Sequence, residues 1–435
     1  MTEARCEVLV IGGGPAGSTI SALLAQQGRD VLLLEKSHHP RFHIGESLLP
    51  LNLQLFERLG VAEEVRAIGM PKHGVEFVSP WHDKPSFLDF ADAWDKAYPS
   101  AYQVRRSEFD QILFRNAVRR GARAMEGCRV TRVDFRPDGA DVGVRQEDGA
   151  ERTWQTRFVV DASGRDTFLA SRLGFKQRDT KHNSAAIFGH FSGVTRLPGK
   201  LEGNISIFWF EHGWFWLIPM TDGATSVGAV CWPYYMKSRK AEPRQFLLDT
   251  IALCPGLAER LRNASLISPV TATGNYSYSA VRSTGANYIM LGDAFAFIDP
   301  IFSSGVFLAM HSAFVGAETV TTCLDRPQRA RSALKAYDAS VHRGTGAFTW
   351  FIHRGTSPIL RHLFMNASNK FRMQEALLSI LAGDIFRGTP VGFRLLLFKV
   401  LYYLMSAFSP KTSFRAWLMR KRVIRGDPGT VTNTS

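Results

Sequence analysis

An α/β fold is what this sequence predicts: a Rossmann-like βαβ core, a mixed or antiparallel second sheet and a C-terminal helical region. Three observations carry the prediction. Glu7–Ile11, Pro15–Gln27 and Val31–Leu34 read as strand, helix and strand in immediate succession. Residues 184–232 alternate apolar and polar positions with interleaved aromatics, as a half-buried antiparallel sheet does. After Arg343 the apolar period is helical throughout.

The intervening elements follow in order. Helical spacing recurs over 51–59, 62–68 and 110–120. Residues 129–135, 140–145 and 153–160 form a meander, punctuated by the turn tripeptides Pro137-Asp138-Gly139 and Glu147-Asp148-Gly149. Tyr288–Leu291 is a late buried strand and Ser304–Leu324 a long helix. The apolar run Val391–Phe408 has the length of a membrane span, but Arg394 and Lys399 interrupt it and make crossing a bilayer costly. No transmembrane span is expected; the run reads as a helix packed on the body of the protein or over a substrate mouth. Residues 426–435 are polar, contain Gly and Pro, and read as a flexible tail.

Composition sets the class. At 435 residues, 45% hydrophobic and 21% charged, the chain is globular and long enough for two or three domains. Its five cysteines are scattered and form no Cys-x-x-Cys pair, which speaks against a disulfide framework or a structural zinc site. With no basic-then-apolar leader before the first strand, a cytoplasmic, reducing location is expected. The net charge is 53 − 39 = +14, a balance that attracts anionic partners without choosing among them. The basic residues are spread rather than gathered into an arm, and no nucleic-acid partner is expected. His38, His39 and His43 cluster without metal-ligand spacing, so no metal site is expected.

The first strand runs into Gly12-x-Gly14-x-x-Gly17 at a helix start, and Glu35 ends the second strand. The first glycine permits a tight turn, the second lets backbone approach a pyrophosphate, and the third lets helix and strand pack closely. Free N–H groups at the helix N-terminus favour the phosphates. An acid at the position of Glu35 suits ribose hydroxyls. Late in the chain, Gly292-Asp293 follows a buried strand and precedes Asp299-Pro300-Ile301-Phe302-Ser303-Ser304-Gly305. This second loop feeding a second helix is more than NAD needs. It suits a longer dinucleotide, with Asp293 on a sugar-alcohol chain.

These features resemble the FAD-binding fold of the aromatic hydroxylase and flavin-dependent halogenase superfamily, over most of residues 1–345. Gly45-Glu46-Ser47, the segment Val104–Asp110 and the segment Val160–Arg165 carry further family marks. The resemblance places Ser47, Arg106 and Gly305 with the glycines, Glu35 and Asp293 on the cofactor. Asp161 reads as a turn residue. The implied domains are a discontinuous FAD-binding domain (1–70, 101–183 and 270–345), a substrate-side sheet domain (71–100 and 184–269), a helical region (346–425) and the tail.

Three elements narrow the resemblance. Trp214-Phe215-Trp216-Leu217-Ile218-Pro219 is one strand whose indoles share a face, and a packing role would explain it alone. It also matches the Trp-x-Trp-x-Ile-Pro signature of flavin-dependent halogenases. Lys72-His73-Gly74 matches that family's Lys-x-Gly element, and Ser303-Ser304-Gly305 its halide loop. The resemblance implies FAD, used as FADH2, with chloride or bromide as co-substrate held by the amides of Ser304 and Gly305. Halide is oxidised to hypohalous acid, Lys72 passes the oxidant on, and Trp214 and Trp216 partition flavin from substrate. Lys72 would act as a hydrogen-bond donor or as a haloamine, the latter needing a pKa below the ordinary value of about 10.4.

Phe302 stands where tryptophan halogenases carry a glutamate, and the loop reads Ser-Ser-Gly rather than Ser-Thr-Gly. The resemblance therefore points to electron-rich phenols or pyrroles, free or tethered to an acyl carrier, and away from free tryptophan. Acidic carriers suit a basic enzyme, and Lys411, Arg415, Arg420, Lys421, Arg422 and Arg425 read either as a docking face for one or as a solvated helix side and tail. Only one G-x-G-x-x-G is visible, so a separate flavin reductase is the expected electron source. The alternative is an aromatic monooxygenase or flavin oxidoreductase driven by NAD(P)H.

Overall fold

In the computed structural model of the protein, the described residues are 4–274, 277–355, 357–366, 369, 372–387 and 389–425. The tail expected at 426–435 lies outside them. The chain divides into two compact units. The first comprises Met1–Ile68, Val104–Arg178 and Tyr278–Gly346; the second comprises Gly69–Gln103, Asp179–Ser277 and Ala347–Ser435.

The first unit is built on an eight-stranded sheet. Its parallel strands are Tyr288–Met290, Glu151–Asp161, Ala4–Ile11, Val31–Leu34 and Arg123–Met125, in that spatial order. The hairpin Cys128–Arg136 and Gly139–Gln146 joins antiparallel to Glu151–Asp161. All the strands of the predicted βαβ opening and meander are present. Register decides what meets at the carboxyl edge: Ile11 is level with Asp161 and with Leu34, and Asp161 is level with Met290. Gly12, Glu35, Ala162 and the loop after Met290 therefore leave the sheet side by side, where open α/β sheets bind ligands.

Leu9, Ile11, Leu32, Leu34, Val159 and Met290 bury one face of this sheet. On the helix side, Gly316 of Gly305–Asp325 lets that helix sit close; a Cβ there would lie 3.0 Å from Ile289 and 3.2 Å from Ile20. The helix expected from Asp110 starts earlier, at Arg106. Arg105 and Arg106 at a helix N-terminus oppose the macrodipole, which hides the start from sequence reading. The ion pair of Arg106 with Asp110, one turn on, offsets this.

The second unit holds a mixed sheet of order Ser265–Leu266, Ala185–Ser192, Thr225–Cys231, Gly213–Pro219, Ile205–Phe210, Gly74–Val78 and Ser86–Asp89. Within this order every pair is antiparallel except Ile205–Phe210 with Gly74–Val78. Phe215, Leu217, Val227 and Ala229 pack with Phe246, Leu247 and Ile251 of the helix Pro243–Ala252. The apolar run Val391–Phe408 forms one helix, but only Val391 and Phe398 of its 18 residues are buried. One side packs against neighbouring helices, with Phe398 on Phe351 and Phe364, as expected of a helix packed on the protein, while eight of its residues stay exposed.

Candidate functional site

The glycine loop of the first unit is fixed by sterics. Gly12 has φ +102°, and a Cβ there would come within 2.5 Å of the Ala162 carbonyl oxygen. On Gly17 a Cβ would lie 1.9 Å from the Gly12 oxygen. Gly14 caps the helix Pro15–Gln26 and differs: its Cβ would meet nothing nearer than Arg41 Nη2 at 3.8 Å. That open space over a helix N-terminus fits a pyrophosphate. Glu35 is buried, and its Oε2 accepts a 2.7 Å hydrogen bond from Gly13 N–H, so it fixes the loop from behind.

Arg106 is buried and holds a neighbouring loop. Its guanidinium donates to both carboxylate oxygens of Asp110 at 2.8 and 3.0 Å, and to the Ile44 carbonyl at 2.8 Å. Gly45, with φ +106°, and the buried Ser47 lie in that loop. Val104 N–H donates to the Glu46 carbonyl at 2.8 Å and ties the loop to the helix start.

Asp293 follows the strand Tyr288–Met290 in a turn closed by Gly292, whose φ is +49°. Burial pushes its carboxyl up to about 6, while Arg165 and Arg106 pull it back. Ser303 has φ +53°, and the buried Ser304 caps the helix Gly305–Asp325. A Cβ on Gly305 would meet nothing within 4 Å, so the helix start is open. Ordinary backbone geometry leaves its first N–H groups available to an anion.

In the second unit, Lys72 ends the strand Met70–Lys72, which pairs with Ala101–Gln103. It is 1% exposed, and its Nζ lies 5.2 Å from the centre of the Phe90 ring. Burial lowers its pKa to about 7. The third residue of Lys-x-Gly has a steric reason: a Cβ on Gly74 would lie 2.2 Å from the Leu88 carbonyl oxygen of the paired strand. The buried Asn204 fixes the turn between, its Oδ1 accepting from both His73 and Gly74 N–H at 2.8 Å each. Phe90 N–H donates to the His73 carbonyl at 2.8 Å.

Trp214 and Trp216 are buried on one face of Gly213–Pro219, ring centres 6.1 Å apart, opposite the face that sends Phe215 and Leu217 into the helix-covered core. The Trp216 indole donates to Ser226 Oγ at 3.1 Å. Its cross-strand partner is Gly228, where a Cβ would lie 2.2 Å from the Trp216 ring and 2.5 Å from Phe188 Cβ. Gly228 thus makes room for the ring. Gly228→Ala is expected to displace the indole, cost about 1–3 kcal/mol of stability and shift the tryptophan fluorescence. An unchanged spectrum and urea midpoint would show that the ring is not wedged there.

The structure thus gathers Gly12, Gly14, Gly17, Glu35 and Asp293 along one sheet edge, and places Lys72, Trp214 and Trp216 in the second unit. Asp161 has the turn role expected: its carboxylate accepts from Ser163 and Leu169 N–H at 2.9 and 2.7 Å. The early histidines go separate ways, His38 to Glu147, His39 to Glu126 and His43 to the Ile44 carbonyl. Asn204, Phe90, Ser226 and Gly228 were not foreseen, and Asp110 only as the end of the marked segment Val104–Asp110. Only Asp110 left a signal, as an acid one turn after Arg106.

Residues 5–348 match the FAD binding domain family. The chain is similar to tryptophan 2-halogenase of Chondromyces crocatus, 35% identical over 340 residues, which are 76% of this chain and 64% of the relative. It is 28% identical over 417 residues to a Pseudomonas fluorescens chlorinase of 1H-pyrrole-2-carbonyl on a peptidyl-carrier protein, covering 89% of this chain and 91% of the relative. Among solved structures, the myxobacterial chondrochloren halogenase CndH, described as a variant of FAD-dependent halogenases, superposes with a TM-score of 0.78 at 33% identity, covering 89% and 92% of the two chains. The fold, the glycine loop that fits FAD and these likenesses agree: the chain belongs to the flavin-dependent halogenases, a family of FAD-dependent enzymes.

Proposed function

We propose that the protein is an FADH2- and O2-dependent halogenase of an electron-rich aromatic ring, with Lys72 carrying the oxidant. The buried Lys72, its pKa lowered to about 7 by burial, is the observation that carries the reading. An ordinary lysine is ammonium at pH 7 and cannot act as a nucleophile; burial brings this one to half neutral. The chemistry FAD supplies when bound is activation of O2, so that halide is oxidised to hypohalous acid.

The residues then divide the work. Gly12, Gly14 and Gly17 cradle the pyrophosphate, Glu35 fixes the loop and meets the ribose, and Asp293 meets the sugar-alcohol chain. Arg106 holds the loop of Ser47 on the cofactor side. The amides of Ser304 and Gly305 hold halide at a helix N-terminus. The Lys72 amine attacks the halogen of hypohalous acid: an N–X bond forms, the O–X bond breaks, and water leaves with the amine proton. The haloamine then gives its halogen to the ring: a C–X bond forms, the N–X bond breaks, and the proton lost from the ring carbon restores the amine. Trp214 and Trp216 keep the substrate from direct access to the flavin.

Phenols and pyrroles are the proposed substrates, because Phe302 replaces a polarising acid. A carrier-tethered pyrrole is included because one relative is named for that substrate. Tryptophan is the comparison substrate because another is named for it. A separate reductase supplies FADH2, in the cytoplasm, where the five free thiols would stay reduced.

The test supplies FADH2, O2 and chloride or bromide with phenolic, pyrrolic and indolic substrates, with products read by mass spectrometry. Halogenated product is expected, with a single-turnover rate that rises with pH through about 7, since deprotonated Lys72 is the active form. Hydroxylated product in its place, or NAD(P)H-driven turnover without halide, would reject the proposal. A rate that falls through the same range would reject the haloamine step.

A further inference from the structure

The helices Val391–Phe408 and Pro410–Arg425 carry a surface to which the residues of the proposed reaction do not belong. Phe393, Leu396, Val400, Tyr403, Leu404 and Phe408 are exposed, from 46% at Val400 to 85% at Phe408. At about 100° per residue they fall within one stripe about 140° wide, on a helix about 27 Å long. Val391 and Phe398, the buried positions, lie on the opposite side. Arg394 and Lys399 flank the stripe on its two edges. The second helix adds exposed Phe414, Trp417 and Leu418 among exposed Lys411, Arg415 and Lys421. Lys421 Nζ sits 3.6 Å from the centre of the Trp417 ring. Residues 391–425 hold eight lysines and arginines and no aspartate or glutamate.

A stripe of this size is larger than a water-exposed surface ordinarily keeps. Its charge decides what covers it. A second copy would bring like charges together. An acidic protein would satisfy the cations but not five large apolar side chains in a row; Tyr403, at the edge of the stripe, accepts hydrogen bonds from Arg354 and Trp350. An anionic bilayer surface satisfies both, since apolar side chains enter the acyl boundary while flanking cations and aromatic rims stay at the headgroups. Crossing the bilayer is disfavoured, because Arg394 and Lys399 lie within the segment and the opposite face packs against protein.

We infer that the helix pair Val391–Arg425 is an in-plane membrane anchor that binds anionic lipid and places the enzyme at a bilayer surface. The test is co-sedimentation of the full-length, FAD-loaded protein with vesicles of phosphatidylcholine alone or mixed with phosphatidylglycerol. Binding is expected only to the mixed vesicles, and to fall as NaCl rises. Leu396→Glu with Leu404→Glu should abolish it, with bound flavin and circular dichroism unchanged. Lys411→Glu and Arg415→Glu should each weaken it about fivefold or more. Failure of the wild type to pellet with mixed vesicles would overturn the inference, as would pelleting indifferent to the leucine changes. A dimer dissociated by those changes, or an acidic carrier protein released by them without vesicle binding, would give the face to another partner and overturn it equally.

Discussion

Lys72→Met is expected to abolish halogenation and to make the protein more stable. Both effects have one cause. Lys72 is buried, and burial lowers its pKa to about 7 from an ordinary value near 10.5. Between those values the unfolded chain binds a proton that the folded chain does not, so this residue makes stability rise with pH from about 7 to about 10. At pH 7 and below, the shift costs on the order of 3–5 kcal/mol. Methionine fills the space without that cost.

Thermal unfolding at pH 7 should therefore show a midpoint several degrees higher in Lys72→Met. The gap should narrow as pH approaches 10. Halogenated product should fall at least a hundredfold while bound FAD and flavin oxidation stay unchanged. A midpoint that drops, or a gap that widens with pH, would mean that the amine is stabilised where it sits. Loss of bound FAD would mean that the residue has been assigned to the wrong chemistry.

Gly12→Ala is expected to remove FAD. Two penalties coincide at this position: φ is +102°, and the added Cβ would lie 2.5 Å from a backbone oxygen that cannot turn aside. Together they amount to about 2–4 kcal/mol, and relief requires the loop to move from where phosphate binds. Purified Gly12→Ala should carry little flavin absorbance and bind added FAD at least tenfold more weakly. Gly28→Ala is the internal control. Gly28 has φ +81° but nothing within 4 Å of a Cβ, so about 1 kcal/mol of strain is expected with FAD binding intact. Equal flavin loss in both variants would assign the effect to general destabilisation.

Local periodicity carried much of the fold. The strand Val31–Leu34 and the helices Ala62–Ile68 and Val391–Phe408 have the limits that the sequence suggests. Pairing was not legible, because register is a property of two distant segments. The shared face of Trp214 and Trp216 follows from period two, but nothing in the chain says that Gly228 lies opposite Trp216. Lys72 was found through its motif; its burial and the Leu88 carbonyl that demands Gly74 are tertiary facts. Glu35 was read for ribose, and its bond to Gly13 N–H became visible only once strand and loop were adjacent. The run Val391–Phe408 shows the limit from the other side. An apolar period says that a face must be covered, and is silent on whether protein covers it.

The interleaving of the two units sets an order for biosynthesis. The first strand, Ala4–Ile11, finds its parallel neighbour Glu151–Asp161 only much later in translation, and that strand waits in turn for Tyr288–Met290. By then the segments 69–103 and 179–277 of the other unit have left the ribosome. Neither unit can mature before the other has been largely synthesised. A nascent chain halted before Tyr288 leaves Val159–Asp161 without its neighbour, while Glu151–Thr156 is already paired with Gly139–Gln146, so a short stretch of strand edge stays open to association with other chains.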